Sequence, residues 1–180
     1  MKKRIAILAT HGFEESELKS PKETLEAEGW QADIVSLEKG TIKSWTGGDW
    51  GPEYNVDYTL DEINSGDYDA LVLPGGVINP DKLRTKEGVL NFVRAFFDQK
   101  KPVAAICHGP QTLINADVVR GREMTSVKAI SKDLINAGAV WNDVEVVVDQ
   151  GLVTSRTPED LPAFNRKMVE EIKEGVHASA

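Results

Sequence analysis

The sequence contains a single cysteine, Cys107, and a histidine, His108, follows it directly. A thiolate is a strong nucleophile, and an imidazole is the side chain best suited to moving protons near neutral pH. Adjacent side chains do not face each other along a regular element, so the two can cooperate only where the chain turns sharply. Pro102 to Ile106 reads as a buried strand, and Gly109-Pro110 opens the next helix in the order of cap and first helical position. Cys107 therefore falls at a strand-to-helix turn, on the edge where open α/β sheets bind ligands. The pattern Ala105-x-Cys107-x-Gly109 places a small residue where crowding is worst, and the positive end of the following helix favours thiolate over thiol. An arbitrary cysteine is more often a buried structural residue. The turn and the adjoining His108 favour the nucleophile here.

Two further segments reach the same edge. Gly75 and Gly76 end the buried strand Asp69 to Leu73, where their backbone N–H groups could face developing negative charge as an oxyanion hole. A glycine pair on its own is equally a simple turn. The loop His11-Gly12-Phe13-Glu14-Glu15-Ser16-Glu17 brings three carboxylates. One enclosed beside a thiolate would titrate high and could then donate a hydrogen bond to sulfur. The others would decorate a helix N-terminus. His11, His108 and Cys107 lack the spacing of a zinc site, and no glycine-rich phosphate loop is present. The expectation is an enzyme with neither metal nor cofactor.

These segments need a scaffold. Apolar runs of strand length alternate with amphipathic helical stretches, the signature of a parallel sheet covered on both faces. Strands are predicted at Arg4 to Thr10, Ala32 to Leu37, Asp69 to Leu73, Pro102 to Ile106, Val144 to Val148 and Leu152 to Ser155. The first helix starts either at Ser20-Pro21-Lys22-Glu23, a capping box, or near Ser16 with a kink at Pro21. Further helices are predicted from about Thr85 to Gln99, Gln111 to Ala116, Ile130 to Ala137 and Thr157 to Glu174. Gly40 to Tyr58 fits no helical period and is either strands or an excursion.

Composition bounds the rest. The length suits one domain over residues 1–180, with 41% hydrophobic and 28% charged residues, ordinary for a globular chain. A net charge of −8 argues against nucleic acid as a partner, since phosphate binding needs a concentrated basic face. No stretch is long enough to span a membrane, and the apolar run Ile5 to Ala9 is too short for a signal-peptide core. One cysteine permits no internal disulfide and fits a reducing, cytoplasmic setting.

The run Ala105-Ile106-Cys107-His108-Gly109-Pro110-Gln111 closely resembles the nucleophile segment of the ThiJ/PfpI family, within the class I glutamine-amidotransferase-like proteins. Phe13 to Leu18, Ala70 to Gly76, Val119 to Arg122, Asn136 to Ala139 and Leu152 to Arg156 resemble that family's segments in the same order. The resemblance implies an α/β, flavodoxin-like three-layer sandwich with a mainly parallel central sheet. It implies Cys107 as nucleophile beside His108, Glu17 as the glutamate that hydrogen-bonds the sulfur, Glu14 as a second acidic residue lining the pocket, and Gly75 and Gly76 as the oxyanion turn; His11 and Gly109 are further pocket candidates. Asp81 is the nearest match to an acidic residue that orients the histidine across a subunit interface. The implied assembly is a homodimer or a larger homo-oligomer. Implied activities are those of proteases, deglycases and glyoxalases acting on peptides, glycated groups or small carbonyls. The alternative is a redox sensor or holdase chaperone whose Cys107 is oxidised without turnover.

Overall fold

Alternation along the buried strands decides the architecture. In the computed structural model, which describes residues 2–177, the elements begin with β1 (Arg4–Leu8), β2 (Phe13–Glu14), α1 (Glu15–Ala27), β3 (Gln31–Ser36), β4 (Thr41–Thr46), β5 (Asp49–Asn55) and β6 (Tyr58–Thr59). Next come β7 (Ala70–Leu73), α2 (Ile78–Leu83), α3 (Glu87–Asp98), β8 (Val103–Ile106), α4 (Pro110–Asn115) and β9 (Glu123–Met124). The last are α5 (Ser131–Asn136), β10 (Val140–Trp141), β11 (Val147–Asp149), β12 (Leu152–Ser155) and α6 (Leu161–Glu174).

Successive strand residues point to opposite faces. Ala6, Leu8, Leu71, Leu73, Val103 and Ala105 pack with Val89, Val93 and Phe96 of α3 and Leu113 of α4. Ile5, Ile7, Val72, Ala104, Ile106 and Val153 pack with Leu18 and Leu25 of α1 and Phe164, Met168 and Ile172 of α6. Both faces of the sheet are therefore apolar, which is why its strands read as continuous hydrophobic runs. The result is a three-layer, flavodoxin-like sandwich.

Seven strands form the sheet in the order β11-β12-β8-β7-β1-β3-β6, parallel throughout except for β11, which runs antiparallel to β12. From β1 the chain crosses to β3 on one side, and from β7 to β8 on the other. The β1/β7 boundary is thus the switch point where such sheets bind ligands. The segments after β1, β7 and β8 all emerge at this carboxyl edge.

Of the two starts the sequence leaves open for α1, the structure takes the earlier: the helix begins at Glu15, next to Ser16, and carries Pro21 inside it. The earlier start puts Glu17, Leu18, Pro21 and Leu25 on one buried face, and this burial outweighs the hydrogen bond Pro21 cannot donate. Ser20 Oγ instead accepts from Asn165 Nδ2 of α6 at 2.8 Å. The helix predicted from Thr85 begins at Glu87, and the short α2 precedes it. The strand predicted from Val144 begins at Val147. At the final helix, Pro158–Asp160 forms a 3-10 turn before α6 proper. Residues 40–58 resolve into the β4–β5 hairpin, whose turn at Gly47 and Gly48 has positive φ at both, beside β2. Among the described residues no helix is long and apolar enough to cross a membrane.

Candidate active site

Cys107 is the first residue beyond β8, and its φ is +61°. This left-handed conformation costs a non-glycine residue roughly 1–2 kcal/mol and survives only where neighbours hold it. Cys107 N–H donates to Ser155 O at 3.1 Å, and Cys107 O accepts from Val127 N–H at 3.1 Å. Gly109 N–H closes the turn onto Ile106 O at 2.9 Å, and Gly109 caps α4 with Pro110 at its first position. A Cβ on Gly109 would lie 2.6 Å from Leu73 O, so the turn requires glycine for close approach.

The turn brings the two adjacent side chains together, with Cys107 Sγ 3.3 Å from His108 Nδ1. His108 is half-buried, and burial holds its pKa below the ordinary histidine value. The imidazole is therefore neutral at pH 7 and can accept a proton.

Glu17, on the first turn of α1, is fully buried. Its Oε1 accepts from Gly75 N–H at 3.0 Å, and its carboxyl lies beside the Cys107 sulfur. Burial, reinforced by the charge of Glu14, pushes its pKa up to about 8. Glu14 is itself raised, first by burial and then by Glu15. Cys107 is pushed up to about 12 by burial and by the charge of Glu17, against the opposing pull of the His108 and Gly76 N–H groups. The two groups form one coupled pair. A proton on Glu17 removes its repulsion of the sulfur, so a thiolate at Cys107 requires Glu17 to be the neutral acid. The sequence reading has the positive end of the following helix favouring thiolate; at this cysteine burial and the charge of Glu17 pull the other way.

Gly75 and Gly76 do different work. The Gly75 N–H is engaged by Glu17, and a Cβ on Gly75 would meet Cys107 Cβ at 2.7 Å and Glu17 Oε1 at 2.6 Å. Gly76, at φ +78°, lies so close to the β1 loop that a Cβ would stand 2.4 Å from Gly12 O. Its N–H and that of His108 are the backbone donors that act on the sulfur. The Gly76 N–H thus serves both the sulfur and the Glu17 carboxyl.

Glu14, Glu17, Gly75, Gly76, Cys107, His108 and Gly109 are brought together. His11 is held elsewhere, its Nδ1 accepting from Lys43 N–H on β4 at 3.0 Å. Asp81 is exposed on α2 and makes no hydrogen bond to His108 among the described residues. One residue the sequence did not single out is Asn79, fully buried. Its Oδ1 accepts from Thr10 N–H at 2.8 Å, and its Nδ2 donates to Pro74 O at 3.0 Å and Gly75 O at 3.1 Å. It locks the glycine turn to the end of β1. Arg156, next to the Ser155 carbonyl that holds Cys107, is fixed by Asp160 at 2.9 Å and Asp143 at 3.0 Å.

Comparison with known proteins places this geometry. The chain is 48% identical over 168 residues to protein/nucleic acid deglycase 2 of Escherichia coli, covering 93% of this chain and 96% of that protein. It is 47% identical over 169 residues to general stress protein 18 of Bacillus subtilis, again covering 93% and 96%. A two-domain protein from Anabaena variabilis, with DJ-1/ThiJ/PfpI-like and ferritin-like domains, superposes with a TM-score of 0.90 at 37% identity, covering 96% of this chain and 48% of that one. The DJ-1/PfpI family matches residues 3–171, a span that holds the cysteine turn, the buried glutamate and the glycine turn. On that match the chain belongs to the DJ-1/PfpI family.

Proposed function

We propose that the protein is a cysteine-dependent, hydrolase-like stress-defence enzyme acting on reactive carbonyls and the glycated groups they form. The observation that carries this reading is the approach of Cys107 Sγ to a neutral His108 Nδ1 at 3.3 Å, with the buried acid Glu17 beside the sulfur. His108 takes the thiol proton, and the Cys107 sulfur forms a bond to the aldehyde carbon. The carbonyl π pair moves to oxygen beside the Gly76 and His108 N–H groups. His108 returns its proton to that oxygen, giving a hemithioacetal. In a 2-oxoaldehyde, moving the proton on the sulfur-bearing carbon to the neighbouring carbon, and the hydroxyl proton to that carbon's oxygen, yields a 2-hydroxy thioester. Water cleaves it to a hydroxy acid and free thiol. Glu17 keeps its proton throughout and hydrogen-bonds the thiolate. A small carbonyl needs no extended groove, which favours it over a peptide.

The site is completed by a second copy of the chain, with Asp81 of that copy steadying His108. Asp81 being exposed and unengaged by His108 within one chain supports this arrangement.

The test is turnover of methylglyoxal, glycated thiols and peptides by wild type and Cys107→Ser. Loss of activity in the variant is expected, and full activity would sink the reading. Clean peroxide oxidation at Cys107 without any wild-type turnover would favour the sensor instead.

A further inference from the structure

The other end of the sheet carries a cluster that the active site does not use. Among the described residues, Glu171, Glu174 and His177 offer ligand atoms that all lie within 4.8 Å of one another. We propose that they form a divalent metal site of zinc type, with three protein ligands and one open position. It lies beyond the start of β12 and β8, while Cys107 lies past the end of β8, so the ion would fasten the structure rather than join the chemistry.

Glu171 and Glu174 stand on the last turn of α6, where the helix dipole is negative and anionic side chains are disfavoured. Lys173, the basic residue of that turn, is drawn away to Glu28 at 2.8 Å. A cation between the two carboxylates relieves this repulsion. Glu171 is buried, with a relative exposure of 8%, and its Oε2 lies 3.0 Å from His177 Nε2. Nε2 is out of solvent and faces that carboxylate at ion-pair distance, with no hydrogen-bond partner among the described residues. A metal ion would sit between that nitrogen and the carboxylates facing it.

The histidine is also held in place. Gly175, at φ +83°, donates to Glu171 O at 3.0 Å and turns the chain back, and His177 N–H donates to Lys100 O at 2.9 Å. The ring lies over Gly151, where a Cβ would sit 2.6 Å from His177 Cδ2. Lys101 Nζ donates to Ser65 O at 3.0 Å, and Arg122 Nε donates to Val118 O at 2.9 Å with its guanidinium over the Phe97 ring. One imidazole and two carboxylates suit zinc, whereas calcium and magnesium want more oxygen ligands.

The test uses the full chain stripped with a chelator in a Cys107→Ser background, which removes the thiol as a rival ligand. Zinc is titrated against a chromophoric chelator, and cobalt is added separately to read a tetrahedral absorption band. One equivalent of zinc is expected, with affinity falling at least about tenfold in His177→Ala and in Glu171→Gln. Glu174→Gln, at an exposed position, should fold normally and weaken binding as well. Zinc should raise the melting temperature of the parent more than that of the variants. Unchanged affinity in all three variants, or no stoichiometric binding by the parent at millimolar zinc, would overturn the site.

Discussion

Replacing Glu17 by Gln should make the protein more stable and less active, and the size of the gain follows from burial. The carboxyl titrates near 8 in the fold against an ordinary value of 4.5. A raised acid holds its proton more tightly in the folded than in the unfolded state. Its contribution to stability is therefore complete below the unfolded value and is lost progressively as pH rises towards 8. At pH 7 the loss amounts to about 3 kcal/mol, from roughly 1.4 kcal/mol for each pH unit above the unfolded value. Whether the charge settles on Glu17 or on Cys107, the pair gives up its first proton in that window, so the linkage does not depend on which atom carries it. Glutamine keeps an oxygen to accept the Gly75 N–H and has no proton to lose. For a domain of this size the gain at pH 7 corresponds to roughly 6–12 °C in melting temperature.

The assay is thermal or urea unfolding of wild type and Glu17→Gln across about pH 5 to 8, the window set by the linkage. Near the acid end the two proteins should differ little, and the variant's advantage should widen as pH rises. Activity on methylglyoxal should meanwhile fall by about a hundredfold or more, because an amide is a poorer donor to the thiolate than the acid. Parallel stability curves at all pH values would refute the burial argument, as would a variant less stable than wild type at alkaline pH.

Three further outcomes follow from the same geometry. Gly75→Ala should cost about 1–3 kcal/mol in urea unfolding and impair turnover, since its Cβ would meet Cys107 Cβ at 2.7 Å; unaltered stability would mean the turn can give way. Asn79→Ala strips the Thr10 N–H and the Pro74 and Gly75 carbonyls of their partner, so about 2–4 kcal/mol should be lost, with kcat falling alongside; a neutral effect would remove Asn79 as a positioning residue. The acid limb of the kcat/KM profile should lie below the ordinary histidine value, because burial keeps His108 neutral, and it should vanish in the residual activity of His108→Gln.

Much of this site is written in short-range patterns. The strand ending at Ile106, the cap at Gly109-Pro110 and the apolar run of α3 are local, and they place Cys107 without tertiary information. Other features depend on distant contacts. Asn79 sits before a proline, and Asn-Pro reads as a turn; its role appears only when Thr10, 69 residues away, comes against it. For the same reason α2 was not legible. The Ser20-Pro21-Lys22-Glu23 segment has real capping chemistry, yet burial along α1 and the contact with Asn165 override it. Which glycine N–H faces the sulfur could not be read either, because that depends on the carboxylate of a helix 58 residues earlier in the chain.

These features share one energetic direction. Glu17 without solvent and Cys107 at positive φ are each worse for stability than the alternatives available. They persist because β1, β7 and β8 form the centre of a sheet buried on both faces, and the turns leaving them have little room to relax. The strain and the function have the same origin. Were Glu17 moved to solvent it would ionise readily, repel a thiolate and cease to donate a proton to it. Were Cys107 in an ordinary helical conformation, its sulfur would leave the Gly76 N–H. Substitutions that relax the site should therefore stabilise the fold and slow turnover together, and Glu17→Gln isolates that opposition with a single atom exchanged.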